Sequence, residues 1–252
     1  MKKSLLIFIL ISTAFGAVKN INIDLREDIS KISLSQTEKK EYIEKFKKEP
    51  VKFIFSIYDD YHFNRVDEGI KKTLSVLDYL QKKDLNYEIK SPYLRWKKNY
   101  QIQSTLYTLL GLLYIKKAGS MDKSLREKER KYILDVLKKK GKLTNEDLDY
   151  LAKLSRQEDE EIEKNSKFYI DRAIKAFQKA IELFPDNPYP YFQLAKFYKE
   201  NSSNSLASKY LEKAAKLFLK YGQKDMYFSL IEEAKKEGYS KETIKRLEAL
   251  NK

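Results

Sequence analysis

Cysteine is absent from the 252-residue sequence, which excludes disulfide bonds, thiolate metal sites and a lipid-modified cysteine at a processed N-terminus. Histidine occurs once and tryptophan once, and only seven residues are glycine. The sequence contains no glycine-rich phosphate loop, no serine nucleophile elbow and no Cys–His arrangement. We therefore predict that the protein is not an enzyme and has no catalytic residue and no cofactor.

The single histidine, His62, lies three residues after Asp59 and two after Asp60. On a helix only Asp59 and His62 would share a face, and two ligands seldom suffice to hold a metal ion. We predict a surface or partly satisfied histidine and no metal site.

Positive charge is abundant, but little of it comes from arginine. The formal net charge is +14, and only eight of the 51 basic residues are arginine. Proteins that read nucleic acid rely on arginine for bidentate and stacking contacts, and no nucleic-acid motif is present. We predict no nucleic-acid partner. A solvated lysine-rich surface is the default expectation, and weak electrostatic contact with an anionic envelope surface is physically reasonable.

The N-terminus has the three parts of a bacterial-type secretory signal peptide. Lys2 and Lys3 are basic, residues 5–11 are apolar, and Ala14-Phe15-Gly16 forms a small-x-small cleavage site. The apolar stretch is shorter than the roughly 20 residues that span a bilayer. We predict that residues 1–16 are a signal peptide and that the protein is exported, periplasmic or secreted, and soluble after cleavage.

Small and aromatic residues recur with a period of 34 in the C-terminal half. Three positions on one segment recur on a later one, as the pairs Ala173 and Ala207, Phe177 and Leu211, and Ala180 and Ala214. Between them lies an aromatic–leucine–small–aromatic pattern, formed by Tyr191, Leu194, Ala195 and Tyr198. The segment 185–188, Pro-Asp-Asn-Pro, predicts a turn, because each proline disfavours helix at the residue before it.

These residues resemble the tetratricopeptide repeat, a helix–turn–helix unit of 34 residues. The resemblance implies a solenoid of stacked hairpins that binds another protein rather than catalysing a reaction. Two positions depart from the family pattern, since Leu211 replaces an aromatic residue and Leu219 stands where a proline would be. The repeat is therefore expected to continue into the following helices without the usual break.

A second helix A pattern stands at Tyr107, Leu110, Gly111 and Tyr114, well before the helix that carries Ala173. We predict one repeat split by a helical insertion at about residues 117–166. Because glycine costs about 1 kcal/mol against alanine inside a helix, Gly111 is expected to permit close helix approach. By the resemblance, it faces Ala173 and Ala180. The alternative is an ordinary buried leucine-rich helix.

The insertion itself is predicted to be helical. An apolar stripe runs through residues 123–140, Gly141 fits a C-cap, and Thr144 with Asp147 fits a capping box. The sequence leaves open whether Asn165 and Ser166 break the second helix. A projecting charged hairpin would be either a second contact surface or a solvated elaboration.

The predicted fold class is all-α, a short tetratricopeptide-like solenoid of helical hairpins with a helical insertion in one repeat and a C-terminal capping helix pair. The expected regions are an extended or disordered arm at 17–35, N-terminal helices within 36–100, repeats at 101–221 and capping helices at 222–252. In the N-terminal region we predict helices at 38–48, 51–61 and 66–83, and a longer helix that Ser91-Pro92 opens. Residues 51–83 fit a degenerate repeat by length but not by signature residues.

Partner-binding residues follow from the resemblance. Helix A positions 2, 5, 9 and 12 form one helical stripe, which lines the concave surface in the family. Here these positions are Tyr189, Phe192, Lys196 and Lys199 in the whole repeat and Thr105, Thr108, Leu112 and Ile115 in the split repeat. Aromatic rings with lysines suit an acidic or C-terminal peptide with a hydrophobic anchor, although the carboxylate-clamp pattern of the family is missing.

Two alternatives stay open beside this hypothesis. The stripe residues would pack on the insertion or on the N-terminal helices if the groove is filled from within. The protein would otherwise be a peripheral membrane or envelope-polymer binding protein held by its lysine-rich surface, and salt would then weaken its attachment.

Overall fold

Ten helices lie in the part of the chain that the computed structural model describes, residues 25–82, 88–90 and 95–251. They are α1 (Leu25–Lys31), α2 (Gln36–Lys48), α3 (Pro50–His62), α4 (Val66–Lys82), α5 (Asn99–Lys140), α6 (Asn145–Leu183), α7 (Pro188–Glu200), α8 (Asn204–Lys220), α9 (Lys224–Lys236) and α10 (Lys241–Ala249). The predicted all-α fold class is confirmed. The predicted signal peptide at 1–16 lies outside the described residues.

Two of the helical hairpins have the same dimensions. α3 and α7 each contain 13 residues and begin with a proline, while α4 and α8 each contain 17 residues. Each turn holds one residue with a left-handed backbone, Asn64 at φ 61° and Ser202 at φ 61°. In each, the next residue donates its backbone N–H to the carbonyl five residues earlier, Arg65 to Asp60 at 2.9 Å and Ser203 to Tyr198 at 2.8 Å. The helix pair α3–α4 is therefore a hairpin of the same kind as α7–α8.

The similarity of α3–α4 to α7–α8 is not visible in the sequence, because the signature positions of α3–α4 carry other residue types. Asp60 takes the place that Tyr198 has in α7, and Gly69 takes the place of the first small residue on the second helix. Asp60 is fully buried, with its carboxylate oxygens 2.7 Å from Arg65 Nε and 2.7 Å from Lys72 Nζ. Because a buried charge is tolerated only when it is paired, these two cations allow an acid to stand in an aromatic slot.

The split repeat is one long hairpin. α5 contains 42 residues and α6 contains 39, and both continue without a break through the predicted insertion. Gly141, with φ 71°, ends α5 as the predicted C-cap. Thr144 and Asp147 form the predicted capping box that opens α6. The open question at Asn165 and Ser166 is answered, since α6 runs continuously past both.

The predicted start of the long helix at Ser91-Pro92 is wrong, because α5 begins at Asn99. The chain doubles back immediately before it, with the Ile89 N–H donating to the Lys97 carbonyl at 2.8 Å. Gln101 Oε1 then accepts from the backbone N–H of Lys98 at 3.0 Å. This hydrogen bond caps the first turn of α5, so the helix begins after the chain has turned.

Gly111 permits a close approach of α5 to α6, as predicted, and the residue nearest to it is Phe177. The nearest atoms to an ideal Cβ at Gly111 all belong to the Phe177 ring, the closest at 2.5 Å. Ala173 and Ala180, which were predicted to face Gly111, supply none of the three nearest atoms, although both are buried on α6 beside Phe177. The ring of Phe177, fully buried, occupies the space that a side chain at position 111 would need.

The C-terminal helix pair repeats the α7–α8 hairpin with an offset of 36 residues. α9 begins 36 residues after α7 and both contain 13 residues. Gly238, at φ 69°, occupies the turn position of Ser202, and the Tyr239 N–H donates to the Ala234 carbonyl at 3.1 Å, as Ser203 does to Tyr198. The buried residues of α9 recur at the same offset, and they are Tyr227, Leu230, Ile231 and Ala234. Four helical hairpins therefore stack on one another in the described part of the chain.

The prediction of an extended or disordered arm is wrong for residues 25–31, which form α1. Asp28 on α1 and Arg172 on α6 form a buried ion pair, with 2.9 Å between Oδ1 and Nε. The Tyr114 phenol has a pKa raised well above its ordinary value, first by burial and then by the Asp28 carboxylate. Contacts between segments distant in sequence therefore hold this short helix.

One hydrophobic core extends from Leu25 in α1 to Leu247 in α10. Within it the first helices of the hairpins pack in order, α3 against α5 and α5 against α7. Among the described residues, none of the helices combines the length and the apolar character needed to cross a membrane. This order places the candidate residues of α5 and α7 on neighbouring helices.

Candidate partner-binding surface

The eight candidate residues form what we call the first-helix stripe: Thr105, Thr108, Leu112, Ile115, Tyr189, Phe192, Lys196 and Lys199. α5 and α7 are neighbours, so the structure brings both halves of the stripe to adjacent helices. Thr108 is buried, and the other seven residues are partly buried. The stripe remains a prediction as a binding site.

The threonine hydroxyls on the α5 half of the stripe already donate hydrogen bonds within their own helix. The Thr108 hydroxyl donates to the Ser104 carbonyl at 2.8 Å, and the Thr105 hydroxyl donates to the Gln101 carbonyl at 3.1 Å. Leu112 and Ile115 pack against the core. This half can therefore offer a partner mainly apolar contact.

The α7 half begins with two aromatic rings. Tyr189 lies edge-on to Phe218 with 5.4 Å between ring centroids, and Phe192 approaches the same ring at 6.4 Å. The Tyr189 hydroxyl accepts a hydrogen bond from Gln223 Nε2 at 3.2 Å. Both rings are anchored by one edge and partly exposed, which is the arrangement of aromatic anchors in protein interfaces.

The two lysines of the stripe contact the C-terminal hairpin. Lys196 forms an ion pair with Glu233 on α9. Lys199 Nζ donates to the Gly238 carbonyl at 3.0 Å and lies 4.9 Å from the centre of the Tyr239 ring. Any acidic ligand at Lys196 would therefore have to compete with Glu233.

The electrostatics of this end of the stripe are coupled. Desolvation acts to lower the pKa of Lys196, but hydrogen bonding and attraction to Glu233 outweigh it, and Glu237 and Glu200 add to the increase. Burial raises the pKa of Glu237, and repulsion by Glu233 raises it further. The lysines thus sit in a local acidic setting, not in an isolated basic patch.

Tyr58 on α3 is a surface residue that the sequence analysis did not assign to the stripe. Its side chain is 47% exposed, and its ring lies 4.3 Å from the His62 ring. Burial raises the pKa of the Tyr189 phenol, Gln223 and Arg95 act to lower it, and Tyr58 makes a smaller raising contribution. The first helices α3 and α7 begin at Pro50 and Pro188. Counted from these prolines, Tyr58 stands at position 9 of α3, as Lys196 stands at position 9 of α7. This correspondence is the sequence signal that could have identified Tyr58.

The predicted surface histidine is exposed, against the rings of Tyr58 and Tyr61. In the described part of the chain, no group of three or more His, Cys, Asp or Glu could hold a metal ion.

A lysine-rich cleft is lined by residues of α7, α8 and α10. It has a volume of about 530 Å³, with Tyr191 and Tyr210 among its lining residues and Lys209, Lys213 and Lys216 spaced along α8. Like charges at i, i+3 and i+4 destabilise a helix slightly. Glu212 and Arg246, which form an ion pair, also line the cleft, and its lysines are the basic residues considered for the alternative function.

The fold and this surface define an all-α protein of the helical-repeat class, built from stacked hairpins. Comparison with protein families finds that a tetratricopeptide repeat model matches residues 176–221, which cover the end of α6 and all of α7 and α8. This match supports the resemblance for that segment. Repeats of this kind generally form non-catalytic surfaces for protein partners. No curated protein and no solved structure matches the chain.

Proposed function

We propose that the protein is an exported scaffold that binds a segment of another protein along the first-helix stripe and Tyr58. The observation that carries this proposal is the presence of partly exposed aromatic rings at the stripe positions of two first helices, Tyr58 on α3 and Tyr189 and Phe192 on α7. Leu112 and Ile115 on α5 lie on the helix between them. Aromatic anchors with an apolar floor suit a peptide with hydrophobic side chains.

The ligand class follows from the charges at the α9 end. Lys196 and Lys199 provide cations, while Glu233 and Glu237 provide anions. A partner segment with mixed charge and one or two large apolar anchors fits this surface better than a purely acidic peptide. This ligand class differs from the acidic peptide that the stripe alone predicts, because of the contact between Lys196 and Glu233.

Capture from the native envelope fraction by crosslinking tests the binding proposal. Replacing Tyr58 and Phe192 together by alanine removes two partly exposed rings, and we expect unchanged helicity with at least a tenfold lower yield of one captured protein. The matched control replaces Lys209 and Lys216 by alanine on α8, and we expect undiminished capture. Equal loss in both variants, or no loss in the first, would place the contact elsewhere.

Export rests on the predicted signal peptide at 1–16, and its test is separate. Mass spectrometry of the protein recovered from its native source should find a mature N-terminus after Gly16. Recovery of the uncleaved chain from the cytoplasmic fraction would reject export, and the proposal that the protein binds a partner segment would still stand.

The second candidate function is attachment to an anionic envelope surface through the lysine cleft on α8. Co-sedimentation with vesicles that contain phosphatidylglycerol, in a salt series, measures it. Exposed charges are screened over about 8 Å at physiological ionic strength. Binding at low salt that disappears at physiological salt, and that the Lys209 and Lys216 variant lacks, would support this function over the scaffold.

A further inference from the structure

The distal half of the long hairpin lies outside the hydrophobic core. We call residues 129–164 the arm, a different segment from the N-terminal arm that was predicted at residues 17–35. The structure describes every side chain of the arm, and Val136 is the one hydrophobic residue among them that is buried. The two helices of the arm are joined by the rings of Tyr132 and Tyr150, 4.6 Å apart, and by the ion pair of Lys140 with Asp147 at 3.1 Å. The arm therefore has little internal core of its own.

Three leucines of the arm are exposed on one side, and we call them the leucine flank: Leu134, Leu137 and Leu148. Their side chains are 56%, 41% and 51% exposed. Leu137 follows the buried Val136 by one position, and Leu148 follows the buried Asp147 by one position, so each is rotated by about 100° from the inward face of its helix. Because the helices are antiparallel, both rotations lead to the same side of the arm.

The two helices of the arm carry opposite charge. Residues 129–142 contain six cationic and two anionic side chains, a formal charge of +4. Residues 145–164 contain eight anionic and three cationic side chains, a formal charge of −5. Most of these charged side chains are exposed. The surface of the arm is therefore divided lengthwise into a basic half and an acidic half.

We propose that the arm is a self-association surface whose occupant is the arm of a second copy of this chain. Packing two leucine flanks together removes the exposed leucines from water. A two-fold axis parallel to the arms places the basic half of each copy against the acidic half of the other, with both tips pointing the same way. A two-fold axis across the arms would place basic against basic and acidic against acidic, which costs free energy.

The charges select a second copy over an unrelated partner because the arm is complementary to itself. A two-fold interface uses the same patch on both copies, and each contact occurs twice. A lengthwise division into +4 and −5 satisfies that condition without any other molecule. The four helices that result form an antiparallel bundle around the leucine flanks, the usual way in which amphipathic helices bury an apolar stripe.

Sedimentation equilibrium of the full chain, at several concentrations and at low and physiological salt, tests this proposal. We expect a dimer that salt weakens. One variant reverses the basic half through Lys131→Glu, Lys138→Glu and Lys139→Glu. A second reverses the acidic half through Asp149→Lys, Glu160→Lys and Glu161→Lys. Each alone should be monomeric at concentrations where the unmodified chain is dimeric.

The mixture of the two variants decides the matter. Equal amounts of both should restore the dimer, because each reversed half then meets its complement. The control reverses Lys236, Lys241 and Lys245 near the C-terminus, which are exposed and distant in sequence from the arm, and it should remain dimeric. An unmodified chain that is monomeric at every concentration would overturn the proposal, as would dimers in both single variants or a mixture that stays monomeric.

Discussion

The absence of a side chain at Gly111 is matched by the position of the Phe177 ring. A Cβ on Gly111 would lie 2.5 Å from one ring carbon and 2.8 Å from two others. The ring is fully buried, so it has no open space into which it can retreat. The glycine of the helix A signature thus allows the aromatic residue of helix B to enter the interface between α5 and α6.

Replacing Gly111 by alanine should destabilise the protein by about 1–3 kcal/mol, the usual cost of overpacking a core. Gly119 is the matched control, because it lies on the same helix with nothing within 4 Å of its ideal Cβ. Alanine there should be neutral or stabilise by up to about 1 kcal/mol, since glycine is the poorer helix former. Urea unfolding measures both, and equal effects at the two positions would contradict this contact.

Replacing Phe177 by alanine should cost about 3–5 kcal/mol, because it removes a fully buried aromatic ring. The same change should also make Gly111→Ala harmless, since the ring that obstructs the new methyl group is gone. A double-mutant cycle on the free energy of unfolding checks the coupling. Additive losses would show that the two residues do not share one interface.

The buried ion pair of Asp28 with Arg172 gives a third prediction. Arg172→Met alone should destabilise the protein by about 3–5 kcal/mol, because it leaves a buried carboxylate without its guanidinium. Replacing both residues, Asp28→Leu with Arg172→Met, should restore much of that loss. Thermal unfolding followed by circular dichroism compares the three proteins. A double variant less stable than Arg172→Met would contradict the account of how α1 is held.

The start of α2 predicts a dependence on pH. Glu38 accepts hydrogen bonds from Lys71 Nζ at 2.7 Å and from the Ser35 side chain at 2.7 Å, and these bonds, that from Lys71 first, lower the pKa of Glu38 to about 2 from 4.5. A carboxylate with a lowered pKa stabilises the fold above its ordinary pKa and loses that effect as the pH falls. The contribution of Glu38 should therefore disappear between about pH 4.5 and 2.

Thermal midpoints of the unmodified chain and of Glu38→Gln, measured from pH 6 to pH 2, check this sign. The two midpoints should differ at pH 6 and converge as the pH falls. Glu41→Gln on the same helix is the control, because Glu41 is more than half exposed and forms an ion pair with the exposed Lys45. A gap for Glu38→Gln that widens toward low pH would show that the assigned sign is wrong.

The sequence predicted the elements whose signals are local. The turn at 185–188, the C-cap at Gly141 and the capping box at Thr144 each depend on residues within a few positions of one another, and the structure has a helix boundary at each. The period of 34 residues located α7 and α8 for the same reason, since it compares one local pattern with the next.

Elements that depend on distant contacts could not be predicted in this way. α1 is held by an ion pair to α6, and α5 begins where the chain has folded back on residue 89. The hairpin α3–α4 was left open because Asp60 fills an aromatic slot, which only its pairing with Arg65 and Lys72 allows. Local sequence propensity does not indicate which distant residues will form such pairs.

In the candidate surface too, local patterns were predictable and distant contacts were not. Periodicity assigned the eight residues of the first-helix stripe to two helices, and the structure places those helices side by side. The contact of Lys196 with Glu233 was not predictable, because the last hairpin repeats at an offset of 36 residues and not 34. Tyr58 was missed because its hairpin lacks the signature residues.

Site-specific photocrosslinking tests most directly whether a protein partner lies on the first-helix stripe. A photoreactive phenylalanine derivative replaces Tyr58, Phe192 or, as the control on α8, Lys216, and the protein is irradiated in the cells that produce it. We predict that positions 58 and 192 crosslink to the same partner protein and that position 216 does not. Crosslinking of that partner at position 216 alone, or of no protein at positions 58 and 192, would contradict the scaffold account.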